Sequence, residues 1–171
     1  MDSNTGAVVA IPQPNYMPWL GYFFKISTAD QFVFLDDVQF PKNSFTNRLR
    51  IAGASGWDKW LTVPVPVSFG QSIDQIYSSQ SDWPSRHLDT LRGYYTEAAS
   101  FNSVWKDIRE QYQAVDSDQT LAEQNIFLIQ ELAVWLGVEC IFLRSSQLDT
   151  KGARDDSLIS IVSSISSDGV Y

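Results

Sequence analysis

Pro12, Pro14 and Pro18 stand between an apolar run at residues 7–11 and a stretch in which Trp19, Tyr22, Phe23 and Ile26 recur at helical spacing. Proline fixes its own φ and has no N–H to give a ladder, so the run before it reads as a buried strand that ends in a stiff loop. Pro18 suits the first turn of a helix, where a missing donor is no loss, and the spacing predicts a helix over 18–28. A strand that feeds a helix through a rigid loop points to an α/β sheet. In such sheets ligands bind at the carboxyl ends of the strands.

The same alternation continues along the chain. Residues 32–35 form a second short apolar run that closes on Asp36 and Asp37. Residues 48–52 and 57–63 flank Gly53-Ala54-Ser55-Gly56 as a hairpin, and Pro64 and Pro66 force that second strand to an edge or out of the sheet. Helices are predicted over 84–96, with Leu88, Leu91 and Tyr95 on one face, and over 101–113, with Ser100 as a cap candidate and Phe101, Val104, Trp105, Ile108 and Tyr112 in register. Thr120 and Glu123 form a capping-box pair that opens a helix to Leu136, and Gly137 is a natural stop. Residues 138–143 read as another buried strand, 155–166 as a helix, and Val170 as the start of a strand. The order predicts a single α/β domain over 1–171, with a mainly parallel, Rossmann-like sheet, a hairpin and a helical insertion at 80–137.

Charge narrows the partners. The net charge of −8 argues against broad binding to nucleic acid or anionic membranes, which needs a density of Lys and Arg. No apolar run approaches the roughly 18 residues of a membrane span, and Met1-Asp2-Ser3-Asn4 lacks the character of a signal peptide, so a cytoplasmic protein acting on a small molecule is expected. A homo-oligomer is compatible with this composition. Cys140 lies in an apolar run, where a thiol stays protonated. With His87 the only histidine, no Cys/His cluster offers a metal site, and no motif selects a cofactor.

Five groups of residues could carry chemistry. Gln13, Asn15 and Tyr16 offer amides and a phenol beside prolines that fix their backbone, with the ring of Trp19 close behind; Asn15 is equally a helix cap. Asp36 and Asp37 close a strand, and neighbours in a strand point to opposite faces, so unless the backbone breaks there one of them, not a dyad, is expected to meet a sugar hydroxyl or a cation. The alternative is a turn, or an ion pair to Lys42. Lys42, Arg48 and Arg50, with Asn43 and Asn47 between them, form the one basic cluster of an acidic chain and suit a phosphate or carboxylate. His87 has the side chain poised for acid–base work near neutrality, against the reading of a structural histidine. Arg144-Ser145-Ser146 follows a strand and could present hydroxyls and N–H groups to a phosphate. The loops at 12–15, 36–37 and 144–146 are expected to converge on one sheet edge. No P-loop, Gly-x-Gly-x-x-Gly or Gly-x-Ser-x-Gly motif occurs.

The string from Gln13 to Phe23, together with Phe34-Leu35-Asp36-Asp37-Val38-Gln39-Phe40, resembles the WbqC-like family of bacterial O-antigen and surface-polysaccharide gene clusters. Asn47 to Ile51, Trp60 to Val65, Trp83 to Leu88 and Arg144 to Ser146 extend the resemblance over nearly the whole chain. Two departures stand out. Pro12 sits where relatives often carry His or Met, and the chain stops at Tyr171 whereas family members continue for some tens of residues. The resemblance implies a transferase-type enzyme of surface-polysaccharide biosynthesis acting on a nucleotide-activated or carrier-linked, phosphate-bearing substrate, with acyl or aminoacyl transfer to a sugar amine as one form. In that picture the basic residues hold the phosphate, Gln13 and Asn15 orient the acceptor, and His87 and Asp36 are the candidate catalytic groups. A nucleotidyltransferase-like enzyme is a second reading, although the His-x-Gly-His motif is absent. A non-catalytic glycan- or partner-binding module, for which the six Trp and seven Tyr would suit stacking, is a third.

Overall fold

Parallel strands need a crossover to return to the same end of a sheet, and the alternation of short apolar runs with helices supplies it. The structure, a computed structural model, describes residues 7–53, 58–148 and 155–165. The elements run β1 (Val9–Ala10), α1 (Leu20–Thr28), β2 (Gln31–Phe34), β3 (Arg48–Ala52), β4 (Asp58–Thr62), α2 (Trp83–Tyr95), α3 (Phe101–Gln113), α4 (Leu121–Trp135), β5 (Ile141–Arg144) and α5 (Asp155–Ile165). β1, β2 and β5 form a parallel sheet in that spatial order, with Val9 opposite Gln31 and Gln31 opposite Ile141. β3 and β4 form a separate antiparallel pair, from Arg48 opposite Thr62 to Ala52 opposite Asp58. The chain is thus mixed α/β.

β2 is the central strand, and Phe32, Val33 and Phe34 are all fully buried, as a parallel strand covered on both faces requires. Successive side chains alternate: Phe32 and Phe34 pack with Tyr22, Phe23 and Ile26 of α1 and Ile129 of α4, while Val33 meets Ile161 and Val162 of α5. A further core joins the hairpin to the helices through Ile51, Leu61, Val63, Trp83, Leu88, Tyr112 and Leu128.

Local sequence explains most boundaries. β1 stops after Ala10 because Pro12 and Pro14 have no N–H to extend the ladder. The Thr120–Glu123 capping box is fully formed. Gly137, at φ +69°, closes α4 as a Schellman motif: its N–H donates to Val134 and that of Val138 to Ala133. That motif holds Val138 against the helix, so β5 begins only at Ile141, and it lies at the sheet edge with Ile141 exposed rather than buried as expected. The first helix also starts later than expected. Met17 adopts φ +44°, the left-handed conformation, and Trp19, not Pro18, occupies the N-cap position in extended conformation. Ser100 stands at the N-cap of α3 without a side-chain cap bond. The hairpin loop at 54–57 and the strand expected at Val170 lie outside the described residues.

Candidate functional site

Because β1, β2 and β5 are parallel, their carboxyl ends share one edge, and there the loops at 36–37 and 144–146 bond directly. Asp36 is fully buried. Its Oδ2 accepts from Arg144 Nε at 2.6 Å and Ser146 Oγ at 2.8 Å, and its Oδ1 from the Ser146 N–H at 3.0 Å. Ser145 Oγ accepts from the Asp36 N–H at 3.1 Å and lies 3.1 Å from Asp36 Oδ1 and 2.5 Å from Asp37 Oδ1. One hydroxyl has one proton, and the shorter contact gives it to Asp37. Both carboxylates reach that hydroxyl because β2 ends at Phe34 and the backbone bends at Asp37, so the strict strand alternation expected of this pair does not apply. Arg144 is also 3.6 Å from Glu123 Oε1, whose other oxygen caps α4 at Thr120. The Thr120 N–H chiefly, with the Thr120 hydroxyl and Arg144, holds the Glu123 carboxyl below the usual range.

The proline loop runs beside this edge. The Pro12 carbonyl accepts from the Leu35 N–H, the Gln13 carbonyl from the Tyr22 hydroxyl, and the Pro14 carbonyl from Asn125 Nδ2. Asn125 Nδ2 also donates to the Thr46 carbonyl at 2.7 Å, and the Tyr16 N–H to the Phe45 carbonyl. This ties the proline loop to the chain entering β3. Asn15 is half-buried beside it.

Tyr16 turns inward. Its hydroxyl lies 2.7 Å from both His87 Nδ1 and the Tyr112 hydroxyl, and His87 Nε2 lies 3.2 Å from the Thr62 carbonyl. A carbonyl only accepts, so Nε2 carries the proton and Nδ1 accepts from Tyr16, which in turn accepts from Tyr112. Burial, with Arg86 assisting and the Thr62 carbonyl opposing, lowers the His87 pKa to about 4. Burial also pushes both phenols up. The whole chain of groups is therefore neutral near pH 7, and both imidazole nitrogens are taken.

The basic cluster lies apart from the sheet edge, in a cleft of about 480 Å³ where Lys42, Asn43, Asn47 and Arg48 face Val67 and Phe69. Arg48 lies over Trp60, its guanidinium carbon 4.4 Å from the ring centroid, and donates a terminal N–H to the Asn43 carbonyl at 2.5 Å. Asn43 presents that carbonyl from a left-handed conformation, φ +62°, which Asn tolerates better than most residues. Arg48 Nε is buried and has no partner. Asn47 Nδ2 is held by the Val63 carbonyl at 3.0 Å. Arg50 shares the Arg48 face of β3 and is exposed. Trp19, Phe45 and Trp60 form an exposed strip beside the cleft, with 6.0 Å between successive ring centroids.

The expected residues therefore separate into three places. Asp36, Asp37, Arg144, Ser145 and Ser146 gather at the sheet edge; Lys42, Asn47 and Arg48 gather at the hairpin; Tyr16 and His87 lie buried between hairpin and helices. Tyr112 and Glu123, read from the sequence only as a helix-face residue and a cap, and Asn125, not singled out at all, join these networks. A polar Gln124–Asn125 pair inside the apolar α4 was the one available signal. The burial of Cys140 raises its thiol pKa. Among the described residues no group of three or more His, Cys, Asp or Glu is placed to hold a metal, and no helix is long and apolar enough to cross a membrane.

The WbqC-like protein family model matches residues 13–171. Over 155 residues the chain is 31% identical to an uncharacterised protein of Mycobacterium tuberculosis, an alignment that covers 90% of this chain and 66% of that protein. The chain thus spans just under two thirds of the relative's length. No solved structure matches it.

Proposed function

We propose, for a chain that belongs to the WbqC-like protein family, a transferase of bacterial surface-polysaccharide biosynthesis that grips a phosphate-bearing substrate in the Arg48 cleft. Arg48 Nε carries the reading: it is a buried donor without a partner. An unmade hydrogen bond of this kind costs about 1–3 kcal/mol, which a phosphate oxygen would restore. Trp60 and the Asn43 carbonyl already fix the guanidinium, so little side-chain freedom is lost on binding. Lys42 adds charge, and no carboxylate among the described residues lines the cleft.

In this reading the substrate is a nucleotide-activated or carrier-linked group. The acceptor oxygen or nitrogen bonds to the transferred group, and the bond to the phosphate-bearing part breaks with its electron pair. The acceptor proton passes to solvent. Arg48 and Lys42 meet the charge that grows on the departing phosphate. Gln13 and Asn15 orient the acceptor from the proline loop, and Trp19 offers it a ring. Asp36 holds Arg144 and Ser146 in position, and His87 holds Tyr16, each by bonds already made. We read the parallel sheet as a small Rossmann-like sheet, and the helices within 80–137 as an insertion into one domain.

Calorimetry with UDP as the probe tests the reading. Arg48→Lys keeps the charge but loses the planar fork, and should weaken binding about tenfold, which corresponds to about 1.4 kcal/mol; Arg48→Ala should weaken it further. Unchanged affinity in both variants, or no binding by the unaltered protein, removes the site. The exposed Trp19–Phe45–Trp60 strip favours a second reading, a non-catalytic glycan-binding module. Saturable binding of an oligosaccharide with no turnover of any sugar nucleotide would select it.

A further inference from the structure

We infer that the cleft between β4 and α2 is a second anion subsite, built for the carboxylate of an acidic sugar. It rests on the proposed function only in taking that sugar as the acceptor. The cleft measures about 400 Å³, within the usual range for a small-molecule site. Lys59 and Arg86 supply two cations, Gln80 an amide and Trp60 a partly exposed ring, and no acidic side chain among the described residues lines it. On a chain with 20 acidic and 12 basic side chains, a polar cleft with two cations and no carboxylate is suited to an anion.

Trp83 gives the second, independent observation. It is 1% exposed and lines this cleft, yet its Nε1 has no hydrogen-bond partner. Buried indole N–H groups usually find one. The Nε1 atom is itself covered, so a ligand oxygen would satisfy it once neighbouring side chains shift to admit it. Arg86 is exposed, and Gln80 Oε1 accepts from its terminal nitrogen, so the guanidinium is oriented before a ligand arrives. His87 lines the cleft but adds no charge near neutrality, because its pKa lies at about 4. The two clefts adjoin. Thr62 lines both, and Trp60 carries Arg48 while lining the second. A donor phosphate in one and a sugar carboxylate in the other would lie on either side of β4.

A carboxylate paired with hydroxyls fits better than a second phosphate. The donors here are spread over Lys59, Gln80, Trp83 and Arg86 rather than focused, and a sugar ring presents both a carboxylate at one end and hydroxyls along its edge. Glucuronate is therefore the probe, measured by calorimetry against glucose and UDP on the whole chain. The expected result is saturable glucuronate binding that Arg86→Gln weakens at least about tenfold and that glucose does not compete for. Trp83→Phe keeps the ring and removes the N–H, and should also weaken it; because that residue is buried, the exposed Arg86 variant is the deciding one. No saturable glucuronate binding, or loss on Arg48→Ala but not on Arg86→Gln, overturns the subsite, and equal binding of glucose overturns the carboxylate assignment. UDP binding is read separately. If it fails while glucuronate binds, the proposed donor site falls and this one stands.

Discussion

Two polar regions of this molecule, the carboxyl edge of the parallel sheet and the cleft beside the hairpin, each set an arginine among hydroxyls and amides, yet they end in opposite states. At the sheet edge Arg144 finds Asp36 and Glu123, and Asp36 accepts from Arg144, Ser146 Oγ and the Ser146 N–H. At the hairpin Arg48 uses one terminal nitrogen and leaves Nε buried and unpaired. A fully paired buried network specifies and rigidifies a fold. A buried donor without a partner is a debt that a ligand can settle. The residues that the sequence presents as equal candidates thus divide into those already paired with one another and Arg48, whose Nε has no partner.

The sharpest test of the closed region is Asp36→Asn. Removing one partner of a buried ion pair costs about 3–5 kcal/mol, and because the Arg144 side chain is 21% exposed the lower end is expected. For a chain of this size that lowers Tm by about 6–12 °C. UDP affinity at Arg48, measured well below that melting point, should not change. If Tm holds and turnover disappears, Asp36 belongs to the chemistry and the comparison breaks.

His87 belongs with the closed region, although it lines a cleft, and its pH dependence is the next largest effect. Its folded pKa of about 4 lies below an unfolded value of about 6.5. Between these values the unfolded chain takes up a proton that the folded chain refuses. Stability from this group is therefore complete above about pH 6.5 and is lost as pH falls towards 4, by on the order of 2–3 kcal/mol. Denaturant unfolding of the unaltered chain and of His87→Gln, compared from pH 7 to pH 4, checks it: the difference between the two should shrink as pH falls. A difference that stays constant would show an imidazole with ordinary access to water, free to act as the base the sequence suggests.

What could be foreseen depended on the range of the interaction. The Thr120–Glu123 box and Gly137 are local devices, and both appear as the sequence implies. The alternation of apolar runs and helices foretold parallel strands whose loops share an edge. The partner of Asp36 was not legible, since Arg144 lies 108 positions away and Lys42 was the nearer cation in sequence. His87 looked catalytic because its chemistry is visible in one letter, whereas the Tyr16 and Tyr112 hydroxyls and the Thr62 carbonyl that occupy it come from three other segments. Arg48 was one member of a basic cluster, and nothing in the chain's order distinguishes its buried, unpaired Nε from the side chain of Arg50.

Asn125 sits where the two regions meet, and a smaller effect is expected there. Asn125→Ala removes the donors to the Pro14 and Thr46 carbonyls, both in buried surroundings, and should cost about 1–3 kcal/mol. Because those bonds tie the proline loop to the entry of β3, UDP affinity should fall with stability. Loss of stability alone would separate the proline loop from the binding cleft.

Arg48 should give the smallest change in stability and thereby the cleanest contrast with Asp36. Arg48→Lys gives up the donation to the Asn43 carbonyl, about 1 kcal/mol net, and part of a cation–π contact at a half-exposed ring, about 0.5–1 kcal/mol. Against these, it removes a buried N–H that has no acceptor, a gain of about 1–3 kcal/mol. The terms nearly cancel, so thermal unfolding should shift by no more than about 3 °C, the equivalent of about 1 kcal/mol, while UDP binding weakens about tenfold. A fall in Tm as deep as that of Asp36→Asn would mean that Arg48 is paired in solution as fully as Arg144 is. The distinction between the region that holds the fold and the one that waits for a ligand would then be lost.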